Sequence, residues 1–209
     1  MEQAAKCKIT EEGKQLFANI ANNSKDKYRL RKKGLAHDYV IFLAGTNILD
    51  KVTDWSKIDE AVAQGAKLKC HPLTAASAYE HLVYKYGDAV IEKKASGHEL
   101  LNNAKIVGCC DNSEMGIVGL AKGKTVRRFG KEDKWCTYSA IYRAMLEDGE
   151  LSADKLKAIL SCKNSGLIAA SVQNPQQQID GFFNQYATEE HVAPKNFSGR
   201  VQSANCANS

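Results

Sequence analysis

The sequence is poor in several features that would place it directly in a class. It has only 3 prolines in 209 residues, too few for a linker-rich or low-complexity chain. No apolar run approaches the roughly 18 residues of a membrane-spanning helix. The opening residues, MEQAAKCKITEEGKQ, lack the apolar core of a secretory signal. These absences predict a cytoplasmic protein without membrane insertion.

The 7 cysteines also lack a recognisable functional spacing. No CxxC pair occurs, so the sequence indicates no zinc site and no redox motif, and we expect no metal and no cofactor. Cys109 and Cys110 are adjacent within an apolar run, which is typical of buried, reduced thiols. The formal net charge of +5 is compatible with an anionic ligand but does not by itself indicate nucleic-acid binding.

Strand-like and helix-like segments alternate through the middle of the chain. Short strand-like segments at 38–45, 66–70, 88–92, 106–110 and 124–128 are separated by segments with apolar residues at helical spacing. Such alternation predicts a parallel sheet with right-handed crossovers. We therefore expect an α/β fold: a single Rossmann-like domain with a mostly parallel sheet, an N-terminal helix and a C-terminal helical extension.

The flanking segments divide the chain into four parts. We predict a helical lead-in with a basic segment at 1–37, the Rossmann-like domain at 38–130, a helical extension at 131–190 and a loosely ordered tail at 191–209. The basic segment 25–33, KDKYRLRKK, is interpreted first as a solvated surface. If it shared a face with Arg127 and Arg128, it would instead favour contact with nucleic acid or an acidic protein.

Polar or glycine-containing turns follow three of the predicted strands. The carboxyl ends of parallel strands meet at one edge, where such sheets bind their ligands. The start of the helix after the fourth strand, with a serine hydroxyl and nearby glycine, could accept a phosphate, although a plain capped helix fits equally well. The candidate binding residues are Gly45, Thr46, Asn47, His71, Pro72, Asn112, Ser113, Glu114 and Gly116.

The order of these motifs resembles that of a known enzyme family. The residues concerned are Lys69-Cys70-His71-Pro72, Asn112-Ser113-Glu114-Met115-Gly116, Leu120, Gly123-Lys124-Thr125-Val126 and Phe129-Gly130. They resemble the bacterial capsule-polysaccharide Kdo transferases that carry an HP motif. More broadly, they resemble the carboxyl-terminal, nucleotide-sugar half of GT-B glycosyltransferases.

The resemblance implies a CMP-sugar donor and roles for particular residues. His71 would lie near the donor phosphate and stabilise or protonate the departing CMP. Asn112, Ser113 and the backbone near Glu114 and Gly116 would bind that phosphate without a metal. The Glu114 carboxylate departs from the family pattern and would either repel a phosphate or hold a ribose hydroxyl.

The remaining alternatives concern what completes the site. A GT-B enzyme has a second Rossmann half for the acceptor, and the first 37 residues cannot form it. A homodimer or a separate acceptor-domain chain would then supply the acceptor side. If active, the protein is expected to be a glycosyltransferase. The alternative is a non-catalytic module that binds a nucleotide or another phosphorylated ligand, or one that contacts protein or nucleic acid.

Overall fold

A mostly parallel sheet forms the centre of the molecule. The computed structural model describes residues 1–24, 35–111, 113–131, 137–163, 165, 176 and 179–180. In these ranges, six strands lie in the order β2-β1-β3-β4-β6-β5. The first four in this order are parallel, and β6 is antiparallel to both β4 and β5. Their bounds are β1 Tyr39–Phe42, β2 Lys67–Lys69, β3 Ile106–Cys109, β4 Thr125–Arg128, β5 Leu146–Glu147 and β6 Glu150–Leu151.

Helices connect and flank these strands. Four of them begin after a side chain that accepts a hydrogen bond from the backbone N–H three residues on: Thr10, Asp54, Ser96 and Ser152. Each such cap contributes about 1 kcal/mol. The helices of the described ranges are α1 Glu11–Asn23, α2 Leu49–Val52, α3 Trp55–Ala63, α4 Ala76–Tyr86, α5 Gly97–Asn103, α6 Met115–Ala121, α7 Thr137–Met145 and α8 Ala153–Ser161.

The sheet has a hydrophobic core on each face. Successive strand residues point to opposite faces, so Val40 and Val107 join one core while Ile41 and Leu68 join the other. The first core includes side chains of α1 and of α5 to α8, and the second includes side chains of α2, α3 and α4. The predicted α/β, Rossmann-like fold with a mostly parallel sheet is therefore confirmed.

The order of the strands reverses beside β1. The chain runs from β1 to β2 on one side, then returns past β1 to β3 on the other. In sheets of this kind, the loops after the strands on either side of such a reversal leave a crevice at their carboxyl ends, and ligands bind there. The loops after β1 and β3 therefore border the crevice, and β2 lies next to β1.

One predicted strand is wrong, and one hairpin was not predicted. Residues 88–92 do not form a strand: a 3-10 turn covers Gly87–Ala89, and only Val90 then bridges to Leu68. The segment after residue 130 contains α7 and α8, with the β5–β6 hairpin between them. Asp148 and Gly149 connect its strands with φ values of 49° and 85°. Asp-Gly suits this type of turn, so this dipeptide between short alternating segments was the missed signal.

Several predictions concern residues outside the described ranges. They include the basic segment 25–33, the residue Asn112, most of the helical extension beyond residue 165 and the tail 191–209. Within the described ranges, every helix is too short or too polar to cross a bilayer.

Candidate functional site

The loops after β1 and β2 are joined by direct contacts. Thr46 Oγ1 accepts a hydrogen bond of 2.8 Å from the N–H of Ala75, just beyond the His-Pro turn. The His71 ring lies against the backbone of Gly45, because a Cβ built on that glycine would be 3.9 Å from His71 Nδ1. Asn47 is exposed at the outer end of the β1 loop, and Pro72 is half-buried. Gly45, Thr46, His71 and Pro72 thus form one side of the crevice.

The hydrogen bonding of His71 defines its chemistry. The N–H of Leu73 donates to His71 Nδ1 at 3.1 Å, so this nitrogen is an acceptor and carries no proton. In the neutral ring the proton is then on Nε2. Burial lowers the pKa of His71, the Lys69 charge lowers it further, and Glu114 opposes both. His71 is therefore neutral at pH 7 and can donate a hydrogen bond through Nε2.

The loop after β3 forms the other side of the crevice. The Glu114 carboxylate raises the pKa of His71, so this loop and the His-Pro turn interact electrostatically. Ser113 Oγ accepts a hydrogen bond of 3.3 Å from the N–H of Met115. In the described loop, Glu114 precedes α6 without a side-chain capping bond. The bond from Met115 to Ser113 is thus a local contact of the Ser113 side chain with the start of this helix.

The start of α6 is largely satisfied from inside the protein. Tyr142 Oη donates to the carbonyl of Ser113 and also interacts with the backbone N–H of Ile117. With Met115 bonded to Ser113 Oγ, two of the first three helix N–H groups have internal partners. A phosphate would therefore meet side-chain donors such as the Ser113 hydroxyl more than the open backbone of a helix terminus.

Gly116 has a packing reason to be glycine. A Cβ at this position would lie 2.6 Å from Tyr142 Oη and would also overlap the sulfur of Cys109. Gly116 is buried, and its Cα faces the core between β3 and α7. The absence of a side chain is thus explained by close packing beneath the loop, which fixes the loop's position.

A buried ion pair anchors the same loop, and the sequence analysis missed it. Asp111 is fully buried and accepts two hydrogen bonds of 2.7 Å from Arg128 Nε and Nη2, at the end of β4. Ser139 of α7 donates to the same carboxylate. A Cβ on Gly130 would collide with the Asp111 carboxylate, so this position requires glycine. The glycine in Phe129-Gly130 was therefore the sequence feature that could have indicated a side chain packed against this position.

The two adjacent arginines do not share a face. Arg128 is turned inward to Asp111, whereas Arg127 lies on the other face, over the Tyr39 ring and beside Glu150. Both guanidinium groups are therefore paired with carboxylates, and together they do not form a basic surface patch.

Thr74 lies just before α4 but does not cap it. Ala75 occupies the N-cap position of α4, and Thr74 Oγ1 is buried with no hydrogen-bond partner among the described residues. The Thr74 N–H instead donates to the carbonyl of His71 at 2.9 Å and closes the His-Pro turn. Within the described ranges, no group of three His, Cys, Asp or Glu side chains could hold a metal ion.

Comparison with known proteins gives a weak structural likeness. No protein-family model and no curated protein matches the sequence. A solved structure that is similar is KpsC of Thermosulfurimonas dismutans, a beta Kdo 2,7 transferase, with 17% sequence identity and a TM-score of 0.45. The match covers 76% of this chain and 55% of that one, so the chain spans about half the length of the protein it matches.

Proposed function

We propose that the protein binds a nucleotide-sugar, with its phosphate in the crevice at the carboxyl ends of β1, β2 and β3. The observation that supports this proposal is that His71 follows β2 and Ser113–Glu114 follow β3, the two strands on either side of β1, where strand order reverses. His71 Nε2 and the Ser113 hydroxyl are hydrogen-bond donors in these two loops. The choice of a CMP-sugar rests on the sequence resemblance in the HP and Asn-Ser motifs.

The proposed reaction is transfer of the sugar to an acceptor hydroxyl. The bond between the sugar and the phosphate oxygen breaks, and the electron pair leaves with CMP. The anomeric carbon forms its new bond to the acceptor oxygen, and the proton of the acceptor hydroxyl passes to a base on the acceptor side or to water. A neutral imidazole donating through Nε2 stabilises the charge that develops on this oxygen. Such a hydrogen bond to a charged group contributes roughly 1.5–3 kcal/mol. The state of His71 thus favours stabilisation of the leaving group over full protonation of it.

The acceptor side would come from a second copy of this chain or from a separate acceptor-domain chain. A glycosyltransferase of the GT-B type places donor and acceptor between two Rossmann halves, as the resemblance implies. The sheet described here provides one such half. The expected partners are therefore a nucleotide-sugar donor and a protein that brings the acceptor.

Thermal unfolding with a panel of nucleotides tests the binding. CMP at 100 times its dissociation constant should add about 2.7 kcal/mol of stability. For a chain of this size, that corresponds to roughly 5–11 °C in Tm. His71→Ala should weaken CMP binding roughly 10- to 100-fold. His81→Ala, which changes an exposed histidine on α4, is the matched control and should leave binding unchanged. Absence of a shift with every nucleotide would refute the proposal.

A non-catalytic nucleotide-binding module is the second candidate, and the neutral state of His71 favours it. A module should bind CMP without consuming a CMP-sugar. An enzyme should slowly hydrolyse a CMP-sugar and release CMP, with water in place of the acceptor. Release of CMP from the purified protein distinguishes the two. For the enzyme, a rate that stays level as pH rises from 7 to 8 would support hydrogen bonding by neutral His71. A falling rate would indicate protonation by an imidazolium.

A further inference from the structure

A buried lysine lies beneath the His-Pro turn. Lys69 is the last residue of β2, and only 2% of its surface is exposed. Its ammonium donates to the carbonyl of Cys70 at 2.9 Å and to the carbonyl of Lys93 at 3.1 Å. Burying an ammonium is costly unless its hydrogen bonds are satisfied. The charge is therefore held against the backbone at the start of the turn.

A second lysine holds the other end of the same turn. Lys93 Nζ donates to the carbonyl of Thr74, and this bond is partly buried. Since the Lys93 carbonyl in turn accepts from Lys69, the two residues are linked to each other as well as to the turn. Residues 70–74 are thus fixed at both ends through carbonyl oxygens that point toward ammonium groups.

This arrangement bears directly on the orientation of His71. Inside the turn, the His71 carbonyl accepts from the N–H of Thr74, and His71 Nδ1 accepts from the N–H of Leu73. Both bonds require the turn to keep its present shape. If the carbonyls of Cys70 and Thr74 were released, the Leu73 N–H would lose the alignment that keeps His71 Nδ1 unprotonated.

We infer that Lys69 and Lys93 are positioning residues: they hold the His-Pro turn so that His71 presents Nε2–H to the phosphate. The inference rests on the proposed function for the identity of the ligand, but the effect on His71 can be measured without any ligand. The charged groups acting on the imidazole are Lys69 at the end of β2 and Glu114 before α6. The two lysines act through His71 and need not touch the nucleotide.

The test compares Lys69→Met with Lys67→Met. Both residues point to the same face of β2, but Lys67 donates to the carbonyl of Asp88, away from the turn. NMR of the His71 ring nitrogens in the ligand-free protein reports the tautomer and the titration midpoint. Lys69→Met should raise the midpoint, because the lysine charge lowers the pKa of His71, and should populate both tautomers. Lys67→Met should leave both unchanged.

A second measurement connects this effect to binding. Lys69→Met should weaken CMP binding about 10-fold. Adding His71→Ala to Lys69→Met should reduce the affinity for CMP by a smaller factor than His71→Ala does in the unmodified protein. If CMP does not bind the unmodified protein, the proposed function fails, while the NMR comparison still tests the positioning role.

The inference is overturned if folded Lys69→Met keeps the single Nε2–H tautomer, even where its midpoint rises, because removal of the lysine charge alone raises the midpoint. If Lys69→Met does not fold, Lys93→Met takes its place, because Lys93 is only partly buried in its bond to the turn. It should also produce a mixture of His71 tautomers. A single Nε2–H tautomer in folded Lys93→Met would then overturn the inference.

Discussion

Replacing Arg128 with methionine should destabilise the protein far more than the same change at Arg127. The Arg128 side chain is 7% exposed and its partner Asp111 is fully buried, with two hydrogen bonds of 2.7 Å between them. Removing one partner of a buried pair leaves a charge without compensation and costs about 3–5 kcal/mol. The Arg127 and Glu150 side chains are 38% and 46% exposed, and pairs of this kind contribute at most about 1 kcal/mol.

Urea and thermal unfolding measure this difference. Arg128→Met should lower Tm by roughly 6–20 °C, from the cost of the buried charge and the size of the chain. Arg127→Met is the matched control, since it makes the same change on the adjacent residue. Adding Asp111→Asn to Arg128→Met should recover part of the loss, because the uncompensated charge is then absent while an oxygen remains for Ser139. Equal losses for Arg127→Met and Arg128→Met would refute the reasoning.

Three further predictions follow from the crevice and its support. Gly116→Ala should lower the free energy of unfolding by about 1–3 kcal/mol and so lower the urea midpoint, because its Cβ would lie 2.6 Å from Tyr142 Oη. An unchanged midpoint would contradict the packing. Glu114→Gln should lower the titration midpoint of His71 measured by NMR, since the carboxylate raises the pKa of that imidazole. Thr74→Val should stabilise the protein by roughly 1 kcal/mol in urea unfolding, because the hydroxyl is buried without a described partner; a loss of stability would reveal a hydrogen bond to that hydroxyl.

The features that the sequence predicts well are those set by neighbouring residues. The continuously apolar run around Tyr39–Phe42 is the central strand β1, and it is buried along its length. Ser96 and Ser152 cap α5 and α8, and such caps are local because an N-cap needs only a side-chain oxygen and the backbone that follows it. Alternation of such segments is enough to predict a parallel sheet.

The features that the sequence analysis missed depend on residues far apart in the chain. Asp111 is of a residue type that commonly caps helices, yet its carboxylate binds Arg128 and Ser139, which are 17 and 28 residues away in the chain. Gly116 is adjacent to a turn, but it must be small because a tyrosine from α7 packs closely against it. Local patterns cannot rank such competing partners, because the choice is made when β4 and α7 pack against the loop.

The sequence predicts the positions of the candidate residues along the strands. It places His71 and Ser113 after parallel strands, and in the structure they follow β2 and β3, the neighbours of β1. The ring nitrogen that carries the proton depends on the N–H of Leu73, and a sequence contains no direct signal for that bond. Whether these residues bind a nucleotide-sugar stays a prediction.

The β5–β6 hairpin limits how two copies of this chain could associate. It covers the open side of β4 with an antiparallel strand, and the strand then left at the margin, β5, is two residues long. Short marginal strands offer few unpaired backbone groups to a neighbouring chain. A sheet continuing from one molecule into the next through this margin would gain little pairing. On this side of the sheet, a second copy that completes the crevice would therefore associate through side chains of helices and loops, where a few surface substitutions could change or abolish the assembly.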